Sequence, residues 1–245
     1  MTTMNKEEKG HIHPITHTIN EIVDVFVDMG FEVATGPEIE DEYHNFDALN
    51  VPKDHPARDM QDTFWLKGIP KLLRTHTSNV QARFGKEHGA PFKIVAPGKV
   101  YRYEATDRTH EVQFHQLEGM VVGKDINLGH LKKALLTFLR KVFGEDVDIQ
   151  LRPGFFPFVE PGIEVDMKCF RCKGEGCATC SHSGWIEILG AGMTHPNVLN
   201  LAGINPNEYQ GFAFGIGVDR IAMLKYGIED VRQLYNGDLR IVNQF

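Results

Sequence analysis

The segment GFAFGIGVDR, residues 211–220, decides how this chain folds. Its apolar residues and glycines predict a strand over 211–217, and a helix follows from Val218 to about Tyr226. Glycines let a ligand approach the backbone, and the N-terminus of a helix favours anions. Arg220 adds a planar, permanently charged guanidinium that suits phosphate oxygens. The segment therefore indicates an anion-binding strand–helix junction, with a plain structural turn as the alternative.

The rest of the chain keeps its helical segments apart from its strands. Apolar residues recur at helical spacing from Pro14 to Gly30 and from Leu128 to Val142. Further segments are predicted as a broken strand at 31–39, a short helix at 78–88, and strands at 93–103, 111–122, 147–152, 162–168 and 185–189. Because helices and strands do not alternate in βαβ units, we expect an α+β fold with a mostly antiparallel sheet flanked by helices.

The composition is that of an ordinary globular chain, and it excludes several classes of protein. The 26 basic and 33 acidic residues give a net charge of −7, which argues against nucleic-acid binding through bulk positive charge alone. No run reaches the roughly 18 apolar residues that a membrane span needs. The first ten residues are polar where a signal peptide is apolar. We therefore expect a cytoplasmic protein without membrane contact.

The segment VYRYE, residues 100–104, combines opposite charges on a predicted strand. Arg102 and Glu104 are two residues apart, and such residues point to the same face of a strand. Together they suit a zwitterion or a phosphate group. An exposed ion pair of little energetic weight is the alternative interpretation.

The segment FFPFVEP, residues 155–161, holds an aromatic cluster between prolines. Prolines fix the backbone, so the cluster suits a rigid pocket for an apolar or aromatic ligand. Core packing is the simpler alternative. Glu160 stands beside the cluster and needs a polar partner, for which a metal ion is one candidate.

All the cysteines of the chain lie within one short stretch. They follow the pattern C-x2-C-x4-C-x2-C, at Cys169, Cys172, Cys177 and Cys180. Two thiolate pairs are enough for a structural tetrahedral zinc site, and nearby glycines allow the tight turns that it requires. Reduced cysteines in a surface hairpin and an iron–sulfur cluster are the alternatives. Another histidine-containing segment, His195-Pro196-Asn197, is predicted to be a backbone turn and not a catalytic base.

Taken together, four segments resemble the catalytic core of the α subunit of phenylalanyl-tRNA synthetase, a class II aminoacyl-tRNA synthetase. They are RTHTS (74–78), VYRYEATDRTHEVQFHQLEG (100–119), RPGFFPFVEP (152–161) and GFAFGIGVDR (211–220). The stretch around Gly36-Pro37 resembles the first class II motif, Arg102-x-Glu104 the second, and Gly215-x-Gly217-x-Asp219-Arg220 the third. The resemblance runs from His13 to Phe245 and implies the class II synthetase fold.

The resemblance implies an ATP site that contains both catalytic arginines. Arg102 would bind the α-phosphate, where negative charge builds as the amino-acid carboxylate attacks, and would stabilise that transition state. Arg220 and Phe114 would enclose the adenine, while His110 would reach the outer phosphates. The full ATP-binding set is Arg102, Glu104, His110, Phe114, Gly217 and Arg220.

The resemblance also implies a pocket for L-phenylalanine. Polar residues would fix the substrate ammonium and carboxylate, with Glu104 among them, and Phe156 and Phe158 would line the space for the phenyl ring. Ala213 would limit the room beyond the ring and so help to refuse tyrosine. The full phenylalanine-binding set is His76, Ser78, Gln116, Glu118, Phe156, Phe158, Val159, Ala213 and Gly215.

The implied reaction has two steps and needs no side-chain nucleophile. Phenylalanine and ATP, with Mg²⁺, give an aminoacyl adenylate and pyrophosphate, and the aminoacyl group then moves to the terminal ribose at the tRNA acceptor end. The family assembles as a heterotetramer with a β subunit. Glu160 matches a magnesium-binding position at the β contact, and the first motif forms an α–α contact.

For domain organisation we expect a frayed N-terminus at 1–12 and one catalytic domain at 13–245, with a four-cysteine hairpin inserted at 169–184. The family's N-terminal coiled-coil arm is not evident in this sequence. The competing interpretation is a non-catalytic synthetase paralogue that acts as a subunit-assembly module, and a chaperone-type zinc module is a third. The presence of both arginines disfavours the paralogue.

Overall fold

The computed structural model describes residues 10–53 and 63–245. The described helices are α1 Pro14–Asp28, α2 Glu42–Asn45, α3 Ser78–His88, α4 Leu128–Phe143, α5 Pro196–Leu201, α6 Val218–Tyr226 and α7 Leu239–Val242. The described strands are β1 Glu32–Val33, β2 Ile39–Glu40, β3 Leu72–Leu73, β4 Phe92–Tyr101, β5 Gln113–Gly123, β6 Ile149–Pro153, β7 Val159–Lys168, β8 Trp185–Thr194 and β9 Gln210–Gly217. Most of the predicted frayed terminus, residues 1–9, lies outside the described residues, and residues 10–13 are neither helix nor strand.

A seven-stranded sheet forms the centre of the fold. Its strand order is β1-β4-β5-β9-β8-β7-β6. Only the pairing of β1 with β4 is parallel, and every other pairing in this sheet is antiparallel. The predicted mostly antiparallel sheet flanked by helices is therefore confirmed.

Helix α1 begins and ends where its sequence indicates. Pro14 occupies the first turn, where its missing N–H costs nothing, and His13 caps the helix by accepting the N–H of Ile15. Ile22 and Phe26 follow at helical spacing and are fully buried. Gly30 then takes a positive φ of 81°, which ends the helical segment.

One face of the sheet packs against α1 and α4. The ring of Phe26 in α1 stacks on Phe138 in α4 at 5.3 Å and on Phe214 in β9 at 5.0 Å. Leu117 of β5 and Ile216 of β9 belong to the same buried cluster. Because side chains alternate along a strand, the neighbours of these residues point to the opposite face.

That opposite face carries the functional segments. The β5–β9 ladder places Glu118 opposite Gly215 and Gln116 opposite Gly217. Each glycine thus lies beside a polar side chain of the neighbouring strand. A Cβ atom at Gly215 would come within 3.3 Å of Cγ of Glu118, so a larger residue there would crowd the carboxylate.

Several local predictions need correction. The broken strand expected over 31–39 is observed as two short strands, β1 and β2, but they belong to different sheets. Strand β4 ends at Tyr101, so Arg102 and Glu104 follow the strand, although the Arg102 N–H still donates to the carbonyl of Val112 at 3.0 Å. His195 is the N-cap of helix α5 and accepts the N–H of Asn197 at 3.1 Å, which makes the segment a helix start and not an isolated turn.

Among residues 10–53 and 63–245, no helix is long and apolar enough to cross a membrane.

Candidate functional site

The larger of two adjoining cavities has a volume of about 440 Å³ and lies over β5, β8 and β9. It contains every residue of the phenylalanine-binding set, whereas Glu104, which the resemblance also assigns to the substrate ammonium and carboxylate, lines the smaller cavity. Its lining is His76, Ser78, Gln81, Arg102, Gln116, Glu118, Phe155, Phe156, Pro157, Phe158, Val159, Gly190, Ala191, Ala213, Phe214 and Gly215. Segments far apart in the sequence therefore meet in one cavity that is polar at one end and aromatic at the other.

Glu118 is the acidic group at the polar end. Its side chain accepts hydrogen bonds from the hydroxyl of Ser78 and, at 3.3 Å, from the amide of Gln81. Burial raises the pKa of Glu118 to about 7, although its hydrogen bonds and the charge of Arg102 act in the opposite direction. A cationic ligand in this cavity would favour the ionised form.

His76 and Gln116 bring unpartnered polar atoms to the same end. Burial, with the nearby charge of Arg102, lowers the pKa of His76 to about 3, so its ring is neutral at physiological pH. Nδ1 of His76 and Oε1 of Gln116 are buried without a hydrogen-bond partner among the described residues. Buried polar atoms are nearly always hydrogen-bonded, so these two atoms are suited to a polar ligand.

The aromatic end is shaped by stacked rings over a glycine strand. Phe156 and Phe158 lie 5.9 Å apart with an interplanar angle of 25°. A Cβ atom at Gly190 would come within 2.6 Å of the Phe156 ring, so only glycine lets the ring lie this close to β8. Phe155, which is 75% exposed, lines the cavity beside them.

The smaller cavity, of about 160 Å³, contains every residue that the resemblance assigns to ATP. Its lining is Arg102, Glu104, Thr109, His110, Glu111, Phe114, Gly217, Asp219, Arg220 and Val231. Arg102 lines both cavities. Its guanidinium lies 5.0 Å from the centre of the Phe114 ring, and its Nε donates to the carbonyl of Thr75 at 3.3 Å.

Arg220 and His110 lie at the rim of this smaller cavity. The Nε of Arg220 donates to the carbonyl of Glu187 at 3.0 Å, which anchors the exposed side chain to β8. Nδ1 of His110 lies 3.0 Å from the carboxylate of Asp107. This contact with His110, together with hydrogen bonds from Thr109, holds the pKa of Asp107 well below its usual range. The loop between β4 and β5 is thus held by its own polar contacts.

A partly buried hydrogen-bond network that the sequence did not indicate adjoins the smaller cavity, which Asp219 itself lines. Oδ2 of Asp219 accepts the N–H of His115 at 2.7 Å, and Oδ1 accepts the hydroxyl of Tyr235. Tyr235 Oη also lies 3.0 Å from Nδ1 of His115. Burial raises the pKa of Asp219 to about 6.

The four cysteines converge in the connection between β7 and β8. Sγ atoms of Cys169 and Cys177 are 3.7 Å apart, those of Cys172 and Cys180 are 3.7 Å apart, and all four lie within 4.8 Å of one another. A zinc ion at about 2.3 Å from four sulfurs requires sulfur separations of about 3.8 Å in a regular tetrahedron. The N–H of Gly176 points to Cys172 Sγ at 3.2 Å. The donor set and its spacing therefore fit zinc.

Glu160 lies outside both cavities. Its side chain is 75% exposed, and its carboxylate is 3.3 Å from Nε2 of His195. Among the described residues, no second carboxylate joins it in a metal-ligating cluster. Glu160 could therefore contribute to a metal site only together with ligands from elsewhere, such as a partner subunit.

Comparisons with known proteins identify the family. The tRNA synthetases class II core domain (F) family matches residues 1–245. Phenylalanine–tRNA ligase alpha subunits from Bacillus cytotoxicus, Bacillus mycoides and Bacillus cereus are each 58% identical over 241 residues, which is 97% of this chain and 70% of each relative. The chain belongs to the phenylalanine–tRNA ligase alpha subunits, within the class II synthetase family. The resemblance drawn from the four sequence segments is therefore confirmed.

A solved structure supports the fold at much lower sequence identity. Pyrrolysyl-tRNA synthetase from Desulfitobacterium hafniense superposes with a TM-score of 0.69 at 17% identity, over 92% of this chain and 74% of that chain. A second structure of the enzyme from the same organism gives a TM-score of 0.66 at 18% identity. At this identity the similarity establishes the class II synthetase fold and does not bear on the substrate.

Sequence reasoning missed several residues that line or support the site. Gln81 reaches Glu118 from α3, one helical turn after Ser78, and helical spacing was the signal available for it. Asp219 was recognised only as part of the third motif. Nothing in the sequence pattern connects it with Tyr235.

Proposed function

We propose that this chain is the catalytic part of a phenylalanine–tRNA ligase, in which it joins phenylalanine to ATP and passes the aminoacyl group to tRNA. The observation that carries this proposal is the pair of cavities that meet at Arg102. One is polar and aromatic, as a zwitterion with a phenyl ring requires, and the other has two arginines for phosphate. In a relative of phenylalanine–tRNA ligases, this is the arrangement that adenylate formation needs.

In the larger cavity, the substrate ammonium binds ionised Glu118, next to Ser78. The unpartnered atoms of His76 and Gln116 offer further polar contacts to the amino acid. Its phenyl ring lies between Phe156, Phe158 and the wall of Val159 and Ala213. Tyrosine is disfavoured because its hydroxyl would reach an apolar wall without a hydrogen-bond partner.

In the smaller cavity, Arg102 binds the α-phosphate and neutralises the charge that develops as the carboxylate attacks. It lines both cavities, which supports a role where the two substrates would meet. Phe114 and Arg220 enclose the adenine, and His110 reaches the outer phosphates. Glu104 and Gly217 also line this cavity. Positioning and charge stabilisation thus account for the chemistry without a nucleophilic side chain.

Two metals accompany this proposal. Mg²⁺ accompanies ATP and neutralises phosphate charge, and the carboxylates of Glu104 and Glu111 at the smaller cavity suit its preference for oxygen ligands. Zinc is held by Cys169, Cys172, Cys177 and Cys180 and stabilises the hairpin at 169–184. Glu160 contributes to a magnesium site at a subunit contact.

We further propose a β subunit as partner, because the relatives carry the name alpha subunit. The acceptor end of tRNA approaches the mouth of the two cavities. The stretch around Gly36-Pro37 forms the α–α contact. Residues 13–245 act as one catalytic domain, with the four-cysteine hairpin inserted between β7 and β8.

ATP–pyrophosphate exchange tests the proposal, with each of the twenty amino acids offered in turn to the purified chain and again with a β subunit added. We expect exchange with phenylalanine alone. Exchange with a different amino acid would contradict the substrate assignment. Silence with all twenty, with and without the β subunit, would favour a non-catalytic assembly module, which no observation otherwise supports.

A further inference from the structure

Asp219 is a buried carboxylate that lacks a cationic partner. It is 5% exposed at the start of α6. Among the described residues, its only ion-pair distance is 3.9 Å to Nδ1 of His115. Burial and the charge of Lys99 lower the pKa of His115 to about 4, so that ring is neutral near pH 7. Burying an unpaired carboxylate is costly, so this carboxylate depends on the hydrogen bonds that it accepts from His115 and Tyr235.

The first of these bonds extends the sheet beyond its last strand pair. The β5–β9 ladder ends where Gln116 lies opposite Gly217, because the chain turns into α6 at Val218. The next N–H along β5, that of His115, would then lack a strand partner. The Asp219 carboxylate accepts it at 2.7 Å and so replaces the missing strand residue.

This bond ties together the two sides of the smaller cavity. Phe114 directly precedes His115 on β5, and Arg220 directly follows Asp219 on α6. Both line the smaller cavity. The distance between the Phe114 ring and the Arg220 guanidinium therefore depends on the hydrogen bond between their chain neighbours.

Tyr235 fixes this link from a third segment. It follows the turn Val231–Leu234 and donates its hydroxyl hydrogen to Asp219. Its ring is nearly parallel to that of His115, with an interplanar angle of 5° and centroids 6.3 Å apart. The phenol thus holds both the carboxylate and the imidazole in place.

We propose that Asp219 and Tyr235 are positioning residues that set the spacing of Phe114 and Arg220 and thereby the affinity of the chain for an adenine nucleotide. Neither residue lines the larger cavity; Asp219 lines the smaller one, whereas Tyr235 lines neither and acts only through Asp219 and His115. The inference rests on the proposed function, because it assigns the smaller cavity to ATP.

The test is Tyr235→Phe, which removes one oxygen atom and keeps the ring. The hydrogen bond that it removes ends on a buried carboxylate, so we expect the Kd and the KM for ATP to rise about tenfold. The KM for phenylalanine should change less than twofold. ATP affinity is measured by titration calorimetry. Both KM values are measured by pyrophosphate exchange, with the β subunit added if the parent chain requires it for activity.

Tyr226→Phe is the matched control. The Tyr226 hydroxyl also contacts a histidine, with Oη 3.2 Å from Nδ1 of His17. Tyr226 is the last residue of α6, at the opposite end of the helix from Asp219. Both KM values should stay within twofold in this variant. A purely structural loss in Tyr235→Phe would lower Tm and the active fraction, so kcat would fall while both KM values stayed constant.

Asp219→Ala and Asp219→Asn provide a second route. Asn keeps the size and one acceptor for the His115 N–H, so it should recover part of the ATP affinity that Ala loses. Parent-like ATP affinity in Tyr235→Phe, or an equal rise in both KM values, would overturn the inference alone. A parent chain that binds no ATP would overturn the proposed function as well.

Discussion

The two cavities proposed to bind the substrates and the four-cysteine hairpin differ in what maintains their shape. Strands β5, β8 and β9 form one wall of the larger cavity, β5 and β9 reach the smaller one at Phe114 and Gly217, and these strands are held by a continuous ladder and a large core on the opposite face. The hairpin at 169–184 contains only a 3-10 turn, Ala178–Cys180, and its sulfurs converge on one point. The fold therefore preorganises the cavities, whereas the hairpin would depend on the zinc proposed to bind its sulfurs.

Arg102→Ala should give the largest loss of pyrophosphate exchange with the least change in Tm. Arg102 lines both cavities, so its loss removes the group proposed to stabilise the transition-state charge. We expect pyrophosphate exchange to fall by about 10³-fold or more, with Tm within a few degrees of the parent. Steady-state exchange and thermal unfolding of the same preparation measure both quantities.

Arg240→Ala is the control for this change. The Arg240 side chain is 90% exposed and pairs with Asp238 at 2.7 Å, outside both cavities. It should leave exchange and Tm unchanged. Exchange by Arg102→Ala within tenfold of the parent would show that the phosphate assignment is wrong.

Cys177→Ser in the hairpin should have the opposite effect to Arg102→Ala, because it should lower stability and largely retain exchange activity. Removing one of four thiolates should weaken zinc binding by about 100-fold or more and lower Tm, because zinc binding contributes to the folding of such sites. Exchange should remain within about fivefold, since the cavities keep their strand framework. Metal analysis of the purified chain should give one zinc in the parent and none in the variant.

Thr179→Ser serves as the matched change inside the same hairpin. It lies between two cysteines but supplies no sulfur, so zinc content and Tm should equal those of the parent. A parent that contains iron and is coloured would contradict the zinc assignment. A loss of exchange in Cys177→Ser as large as in Arg102→Ala would remove the contrast between the two regions.

Local patterns in the sequence predicted the elements that bury a continuous apolar stripe. Helix α1 follows from Ile15, Ile22 and Phe26, whose spacing alone places them on one face. The broken strand predicted at 31–39 is observed as two short strands, and periodicity does not reveal that they pair with different distant strands, β4 and β3. Tertiary context therefore decided the short elements.

The candidate site likewise contains residues that the sequence could predict and contacts that it could not. Arg102 could be placed through the second class II motif, and Glu118 and Phe156 through the resemblance to the synthetase α subunit; each lines a cavity. The Asp219–Tyr235 contact could not be predicted, because it joins two polar residues across a turn and gives no periodic signal. Arg74 is similar: the resemblance includes it, but only the structure shows its Nη1 donating to the carbonyl of Gly36 at 3.0 Å.

The pH dependence of phenylalanine binding tests whether the larger cavity is preorganised for a cation. Burial raises the pKa of Glu118 to about 7. A carboxyl with a raised pKa favours folding while it is protonated, and this contribution disappears as pH rises towards 7. Binding of an ammonium group has the opposite sign, because it needs the ionised form. The KM for phenylalanine should therefore fall about tenfold between pH 6 and pH 8.

Glu118→Gln supplies the comparison for this profile. Its KM for phenylalanine should be high and should not vary with pH over the same range. His76, whose pKa is lowered to about 3, stays neutral throughout and adds no titration. A parent profile that is flat from pH 6 to pH 8 would mean that Glu118 is not the group that binds the ammonium.

Ala213→Gly should have the smallest effect and tests the wall of the same cavity. Ala213 is 8% exposed and lies opposite Gly192 and Met120 in the sheet. Losing one methyl group should raise the KM for phenylalanine about fivefold and admit para-halogenated phenylalanines, because the space beyond the ring grows. Ala96→Gly is the control, since Ala96 is fully buried in β4 outside both cavities. If Ala213→Gly activates phenylalanine but no para-halogenated analogue, Ala213 does not form the wall beyond the ring. If Ala96→Gly also activates para-halogenated phenylalanines, the effect reflects a loosened sheet, and the cavity is less rigid than its strand ladder indicates.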